Sequence, residues 1–146
     1  MRLRRPILAA LLILGTTATP ASTGIAMPQD PPRRAVELTF LKSLPGEREH
    51  LKQYIVLNWF AMDRIARAQG LLEGFTVVDT GTDDGPWNVL VAVMYRDARG
   101  YEGIVEPFER IRRAHQTVPV AGKGLRELGA IVESRKTFED PAHRTP

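Results

Sequence analysis

The sequence predicts an α+β domain in which a four-stranded antiparallel sheet carries two helices on one face. Three observations support this prediction. Apolar residues alternate between strand-like and helix-like spacing in the order strand, helix, strand, strand, helix, strand. Segments rich in Gly, Pro and Asp separate these stretches. The third predicted strand is apolar on both faces, which is typical of a strand that is covered on both sides.

Residues 1–26 have the order of a secretory signal peptide: a basic start, an apolar run at 7–14, and small residues that allow cleavage after Ala21 or Ala26. The apolar run is too short for a spanning helix, which needs about 20 residues. We therefore expect a periplasmic or secreted chain with no membrane association after cleavage, exported by the general or the twin-arginine route. Residues 27–34 are predicted to be a linker.

The charge balance argues against a nucleic-acid partner. The chain has 146 residues and a formal net charge of +3, from 20 basic and 17 acidic side chains. Arg2, Arg4 and Arg5 account for this excess, so the predicted mature chain is electrically balanced. The absence of Cys excludes disulfides, thiol nucleophiles and thiolate metal sites.

The first strand and the first helix follow from periodicity. Residues 36–44 alternate as a strand does and then meet a Pro-Gly break. Residues 47–69 predict a helix that ends at Gly70, with Phe60 nearly opposite its apolar stripe. That stripe consists of Leu51, Ile55, Asn58, Met62 and Ile65.

Two strands are predicted next, at 73–80 and 87–96, joined by a segment at 81–86 that consists almost entirely of turn-forming residues. The second of them begins at Trp87, which we expect in the core or at a subunit interface because a large aromatic residue in an apolar strand is usually buried. Both faces of this strand are largely apolar. It therefore needs a second cover in addition to the helices.

The remaining elements complete a domain over residues 35–138. Asp97 can cap a second helix that ends near His115, and Pro107 predicts a kink or break near Glu106. A loop at 116–124, a short turn at 125–128, a last strand at 130–137 and a flexible tail at 139–146 follow.

This βαββαβ order is the ferredoxin-like pattern. Together with the doubly apolar strand, it resembles the dimeric α/β-barrel superfamily, in which two such sheets pack face to face. The resemblance implies a homodimer and a ligand cavity between the sheet and the helices of each subunit.

Asn58 is the first candidate for a binding residue. It lies within the apolar stripe, where an amide needs a hydrogen-bond partner. Tyr54, Trp59 and Met62 are its neighbours on the helix, so the group predicts a pocket for a small apolar or aromatic molecule. The alternative is a structural Asn that is bonded to backbone.

A second resemblance covers the segment from the end of the third strand to the end of the second helix. It is similar to antibiotic-biosynthesis-type monooxygenases and related haem-degrading enzymes, although the first strand lacks the Asn that those enzymes carry. The resemblance implies that His115 could ligate haem; the alternative is a His that stabilises the helix dipole. The residues that carry the resemblance are Tyr95, Asp97, Tyr101, Phe108, Ala114 and His115.

The sequence leaves three functions open. The first is an exported dimer that binds a small molecule without a cofactor, through Tyr54, Asn58, Trp59, Met62, Tyr95 and His115. The second is an oxygenase that is cofactor-independent or uses haem at His115, which needs Asn58, Tyr95 or His115 to converge on one cavity. The third is a structural or interaction protein with a filled core. No metal site is predicted, because the three His residues have no paired spacing.

Overall fold

The structure is a computed structural model that describes residues 33–139. The four strands form one antiparallel sheet in the order β2-β3-β1-β4. The predicted ferredoxin-like α+β fold is therefore confirmed. The predicted signal peptide and most of the predicted linker and tail lie outside the described residues. The strands are β1 Arg34–Ser43, β2 Leu72–Asp79, β3 Val89–Tyr95 and β4 Gly129–Glu139.

The helices are more divided than the sequence predicts. The first helix, residues 48–68, consists of α1, a π-helical segment and α2, and Gly70 ends it with a φ of 75°. The second predicted helix is broken at Ile104 rather than near Glu106, so that Pro107 lies in the first turn of α3, where no backbone N–H is needed. The bounds are α1 Arg48–Tyr54, the π segment Ile55–Trp59, α2 Phe60–Ala68, a 3-10 turn Gly100–Gly103, α3 Val105–Ala114 and α4 Leu125–Leu128.

The π segment changes which face of the first helix is buried. Its wider turn inserts one extra residue into the helix and rotates everything after it. Phe60, Asp63 and Ala66 are buried as a result, whereas Ile65 is 48% exposed. The predicted apolar stripe therefore fails at Ile65, although Met62 stays partly buried, and Phe60 belongs to the core.

Two apolar clusters fill the space between the sheet and the helices. One packs α1, the π segment and α4 on β1 and β3, with Leu41, Leu51 and Ile55 fully buried. The other packs α2 and α3 near Leu72 and Tyr95. Val93, Trp59 and Met62 are only partly buried against these clusters. The boundary between the clusters is therefore less tightly filled than either cluster.

Within residues 33–139, no helix packs on the opposite face of the sheet, which is largely apolar. Side chains of neighbouring strand residues point to opposite faces, so the alternate set on β1 and β3 faces away from the helices. We call this set the open face; it consists of Val36, Leu38, Phe40, Leu90, Ala92 and Met94. Phe40 is covered by the Trp87 ring, 5.1 Å away, and by Arg135, whose guanidinium carbon lies 4.7 Å from the ring centre. The strand itself begins at Val89, two residues after Trp87.

Within residues 33–139, no helix has both the length and the apolar character that a bilayer-spanning helix needs.

Candidate functional site

A cavity of about 380 Å³ lies between the sheet and the helices, where the two clusters meet. Its size is within the usual range of small-molecule pockets. Strands β1 and β3 form its floor, and the π segment, α2, the start of β2, the 3-10 turn and α3 contribute the rest of its wall. It is lined by Glu37, Thr39, Trp59, Met62, Asp63, Leu72, Val91, Val93, Tyr95, Tyr101, Phe108 and Arg112.

Tyr95 and Glu37 form the polar part of the floor. They lie on neighbouring strands, and the Tyr95 hydroxyl donates a hydrogen bond to Glu37 Oε2 over 2.8 Å. Tyr95 is only 4% exposed. Burial, followed by the interaction with the Glu37 carboxylate, raises the pKa of Tyr95 well above its usual value, so the phenol stays protonated.

Tyr101, Glu109 and Arg112 form a second polar group at the wall. The Tyr101 hydroxyl donates to Glu109 Oε1 over 2.6 Å, and Arg112 Nη1 donates to the same oxygen over 3.0 Å. These two hydrogen bonds hold the pKa of Glu109 below its usual range. The Tyr101 ring packs edge-on against Phe108, with ring centres 5.7 Å apart.

Asp63 is the unusual member of the wall. It is 6% exposed and lines the cavity, and its carboxyl oxygens accept no hydrogen bond from residues 33–139. Burial raises the pKa of its carboxyl to about 7, and the neighbouring Arg64 offsets only part of this effect. A buried carboxyl without a partner is costly for a fold, so its presence here is typical of a functional position.

Asn58 holds the first helix to the loop that follows α3. Its Nδ2 donates to the carbonyl oxygens of Tyr54 (3.0 Å) and Val118 (2.9 Å). Its Oδ1 accepts from the Val118 N–H at 2.7 Å and lies 3.1 Å from His115 Nε2. The amide therefore uses its full hydrogen-bonding capacity within the protein, as the structural alternative expects.

The structure separates the six predicted site residues into two groups. Trp59, Met62 and Tyr95 line the cavity. The other three do not: Tyr54 belongs to the first apolar cluster, Asn58 is held by the loop, and His115 lines a separate surface groove. Ligand binding by any of the six stays a prediction.

Sequence reasoning missed Asp63 and Glu37 as cavity residues. Glu37 alternates with Val36 and Leu38 on β1, and the prediction considered only the apolar face of that strand. Asp63 faces the cavity because the π segment rotates α2, and no sequence pattern indicated that rotation. The resemblance to monooxygenases pointed to Tyr101 and Phe108, and both line the cavity.

The residues around His115 do not favour a haem site. Its Nε2 lies at hydrogen-bond distance from Asn58, and the side chain lies outside the cavity. Haem at His115 stays a prediction that this geometry does not support. Among residues 33–139, no three His, Asp or Glu side chains cluster as a metal site would require.

The buried Asp63 makes stability depend on pH. Its pKa is about 7 in the folded chain against an ordinary 3.8, so the folded state holds this proton more tightly. The contribution of Asp63 to the free energy of unfolding is therefore largest below about pH 4 and is lost as the pH rises to about 7. Asp63→Asn has no group that titrates at this position. The free energy of unfolding of the variant, relative to that of the unmodified chain, should therefore rise by about 2 to 3 kcal/mol between pH 5 and pH 8. Urea unfolding at both pH values measures this change.

Glu106→Gln is the control for this measurement. Glu106 is an exposed acid on α3 that pairs with Arg110 over 2.9 Å. Its removal should change stability by a nearly constant amount, within about 0.5 kcal/mol, across the same pH range. If the stability difference between Asp63→Asn and the unmodified chain is equally constant over this pH range, the pKa of Asp63 is not raised in the folded chain.

Comparison with known proteins supports the fold only. No protein-family model and no curated protein matches the chain. The chain is similar in structure to HapK from Hahella chejuensis, with a TM-score of 0.52 and 9% identity over 77% of this chain and 98% of that one. It also matches SnoaB, a cofactor-independent oxygenase from Streptomyces nogalater, with a TM-score of 0.40 and 13% identity over 78% of this chain and 96% of that one. The second likeness is too distant to carry an argument, and the first places this chain among proteins that share a ferredoxin-like α+β fold.

Proposed function

We propose that the chain binds a small, largely apolar or aromatic molecule in the cavity between its sheet and its helices. The observation that carries this proposal is the cavity itself, with aromatic walls and one buried, unpaired carboxyl at Asp63. Apolar walls with few polar groups are typical of small-molecule sites. The structural alternative predicts a filled space instead, so the cavity supports a ligand-binding function.

The oxygenase alternative has less support from the geometry. It requires Asn58, Tyr95 or His115 to converge on one cavity, and only Tyr95 lines it. Asn58 and His115 lie next to each other, but outside the cavity: the Asn58 amide hydrogen-bonds His115 and the backbone of the loop that follows α3. Oxygenase activity therefore stays a prediction.

We propose that two copies of the chain pair through the open face. This face is apolar at its centre, where Leu38 lies opposite Ala92 in the sheet register. At its edge Arg135 and Glu133 lie 3.6 Å apart and balance each other's charge. A second copy would bring the same neutral, apolar surface, and twofold pairing would bury both surfaces without charge repulsion.

Filling the cavity tests the binding proposal. Met62→Trp places a larger side chain on the cavity wall and should weaken binding of a neutral aromatic probe, 1-naphthylmethanol, at least tenfold, as measured by calorimetric titration. Ile65→Trp is the matched control, since it lies on the same helix but is 48% exposed. It should bind the probe as the unmodified chain does. Equal binding by both variants, or no binding by the unmodified chain, would contradict the proposal.

A charge on the open face tests the dimer. Ala92→Glu places a carboxylate at the centre of that face, where pairing would bury it without a partner. We expect sedimentation velocity at micromolar concentration to show a dimer for the unmodified chain and a monomer for the variant. Val105→Glu, on the 43% exposed Val105 of α3, should stay dimeric. A monomeric unmodified chain would overturn the proposal.

We also propose export, on the basis of the pattern in residues 1–26. Cleavage after Ala21 or Ala26 would leave Ser22 or Met27 as the first residue. Intact mass measurement on the periplasmic fraction of cells that express the full chain should find one of these two forms. An uncleaved chain that is confined to the cytoplasm would contradict the proposal.

A further inference from the structure

The hydrogen-bond donors and acceptors of the cavity wall are unevenly distributed. Both phenols that line it already use their protons inside the protein: Tyr95 donates to Glu37, and Tyr101 donates to Glu109. A phenol whose proton is used in this way offers only oxygen lone pairs to a ligand. Tyr95 and Tyr101 therefore act towards the cavity as acceptors.

The carboxyl groups add to this excess of acceptors. Glu37 Oε2 accepts from Tyr95, and the Asp63 carboxyl accepts no hydrogen bond from residues 33–139. An ionised carboxylate can only accept hydrogen bonds. Once Asp63 has lost its proton, above about pH 7, two such groups on one cavity wall give it a negative character.

The donors on the wall are few and are already engaged or peripheral. Arg112 is the one cationic side chain among the lining residues, but its Nη1 is bonded to Glu109 and its side chain is 66% exposed. The Thr39 hydroxyl lies 3.4 Å from the hydroxyl of Ser134. Among the described lining residues, the Trp59 indole N–H is a further donor, and the other N–H groups of Arg112 belong to a largely exposed side chain. A ligand with a carboxylate would therefore meet two acids and little compensation.

Four aromatic rings complete the wall, and they favour the same class of ligand. The faces of aromatic rings attract cations through their quadrupole. An ammonium group that lies between such rings and a buried carboxylate is stabilised electrostatically by both. The rings belong to Trp59, Tyr95, Tyr101 and Phe108.

From these contacts, and building on the proposed binding function, we infer that the ligand carries a protonated amine on an aromatic or apolar body, with the Asp63 carboxylate as its counter-ion. The ammonium would supply the hydrogen-bond donor that the Asp63 carboxyl lacks in the free protein, and a closer positive charge than Arg64 provides. This assigns to the cavity a class of ligand, the aromatic or aliphatic amines, and it excludes organic acids of the same size.

The titration of Asp63 gives the inference a second signature. Its carboxyl has a pKa of about 7 in the free protein, so an ammonium must displace its proton when it binds at lower pH. The other charged or titratable groups near Asp63 are Arg64 on its own helix and, from the packed elements, Glu37, Tyr95, Tyr101 and Arg112. Amine affinity should therefore rise between pH 5.5 and pH 8, while the affinity of a neutral ligand stays constant.

Three probes of nearly equal size test the inference: 1-naphthylmethylamine, 1-naphthylmethanol and 1-naphthoic acid. Calorimetric titration of the full chain at pH 7.5 should rank them amine, alcohol, acid, with about tenfold between the amine and the alcohol and at least tenfold between the alcohol and the acid. In Asp63→Asn the amine should bind only as well as the alcohol, and the alcohol should be unaffected. Glu106→Gln, which removes one exposed negative charge, should keep the full preference.

The outcomes separate this inference from the proposed function. If the alcohol binds but the acid binds as tightly as the amine, or if Asp63→Asn keeps the tenfold preference, the inference is wrong and the binding function stands. If none of the three probes binds to the unmodified chain, the binding function fails and the inference fails with it.

Discussion

The π-helical turn at Ile55–Trp59 is the feature on which the rest of the site depends. An unbroken α-helix would continue its apolar stripe through Met62 and Ile65, and it would leave Asp63 beside that stripe. The extra residue in the π turn rotates α2 so that Phe60 and Ala66 enter the core and Asp63 faces the cavity. The same turn contains Asn58, whose amide bonds the carbonyl of Tyr54 one turn earlier. One irregularity in the helix therefore positions the buried acid and anchors a distant loop.

The cavity exists at the expense of stability. A boundary between two apolar clusters could be filled by larger side chains, and an apolar residue in place of Asp63 would remove the cost of burying an acid. The chain instead keeps open space beside Val93 and a carboxyl with a pKa near 7. Sites that bind ligands commonly carry such costs, because groups that await a ligand cannot be satisfied by the protein itself.

The sequence predicted the fold better than the site. Periodicity located all four strands and both helical regions, because alternation along β3 and the helical spacing of 47–55 are local patterns that the structure preserves. The burial of Asp63 and Phe60 could not be predicted, since it depends on a helical turn that no local residue pattern specifies. Asn58 was identified as buried and polar, but the loop that satisfies it lies 60 residues further along the chain at Val118. Sequence spacing carries no information on such a partner.

The position of β1 in the sheet has a consequence for folding. β1 is the first strand of the domain, yet it lies between β3 and β4. β4 begins at Gly129, so one edge of β1 stays unpaired until nearly the whole domain has been synthesised. An apolar strand with a free edge can pair with another chain, and contacts this distant in sequence form slowly. The vulnerable period for aggregation therefore lies between the emergence of β1 and the arrival of β4, and a chain truncated before residue 129 would carry this open edge permanently.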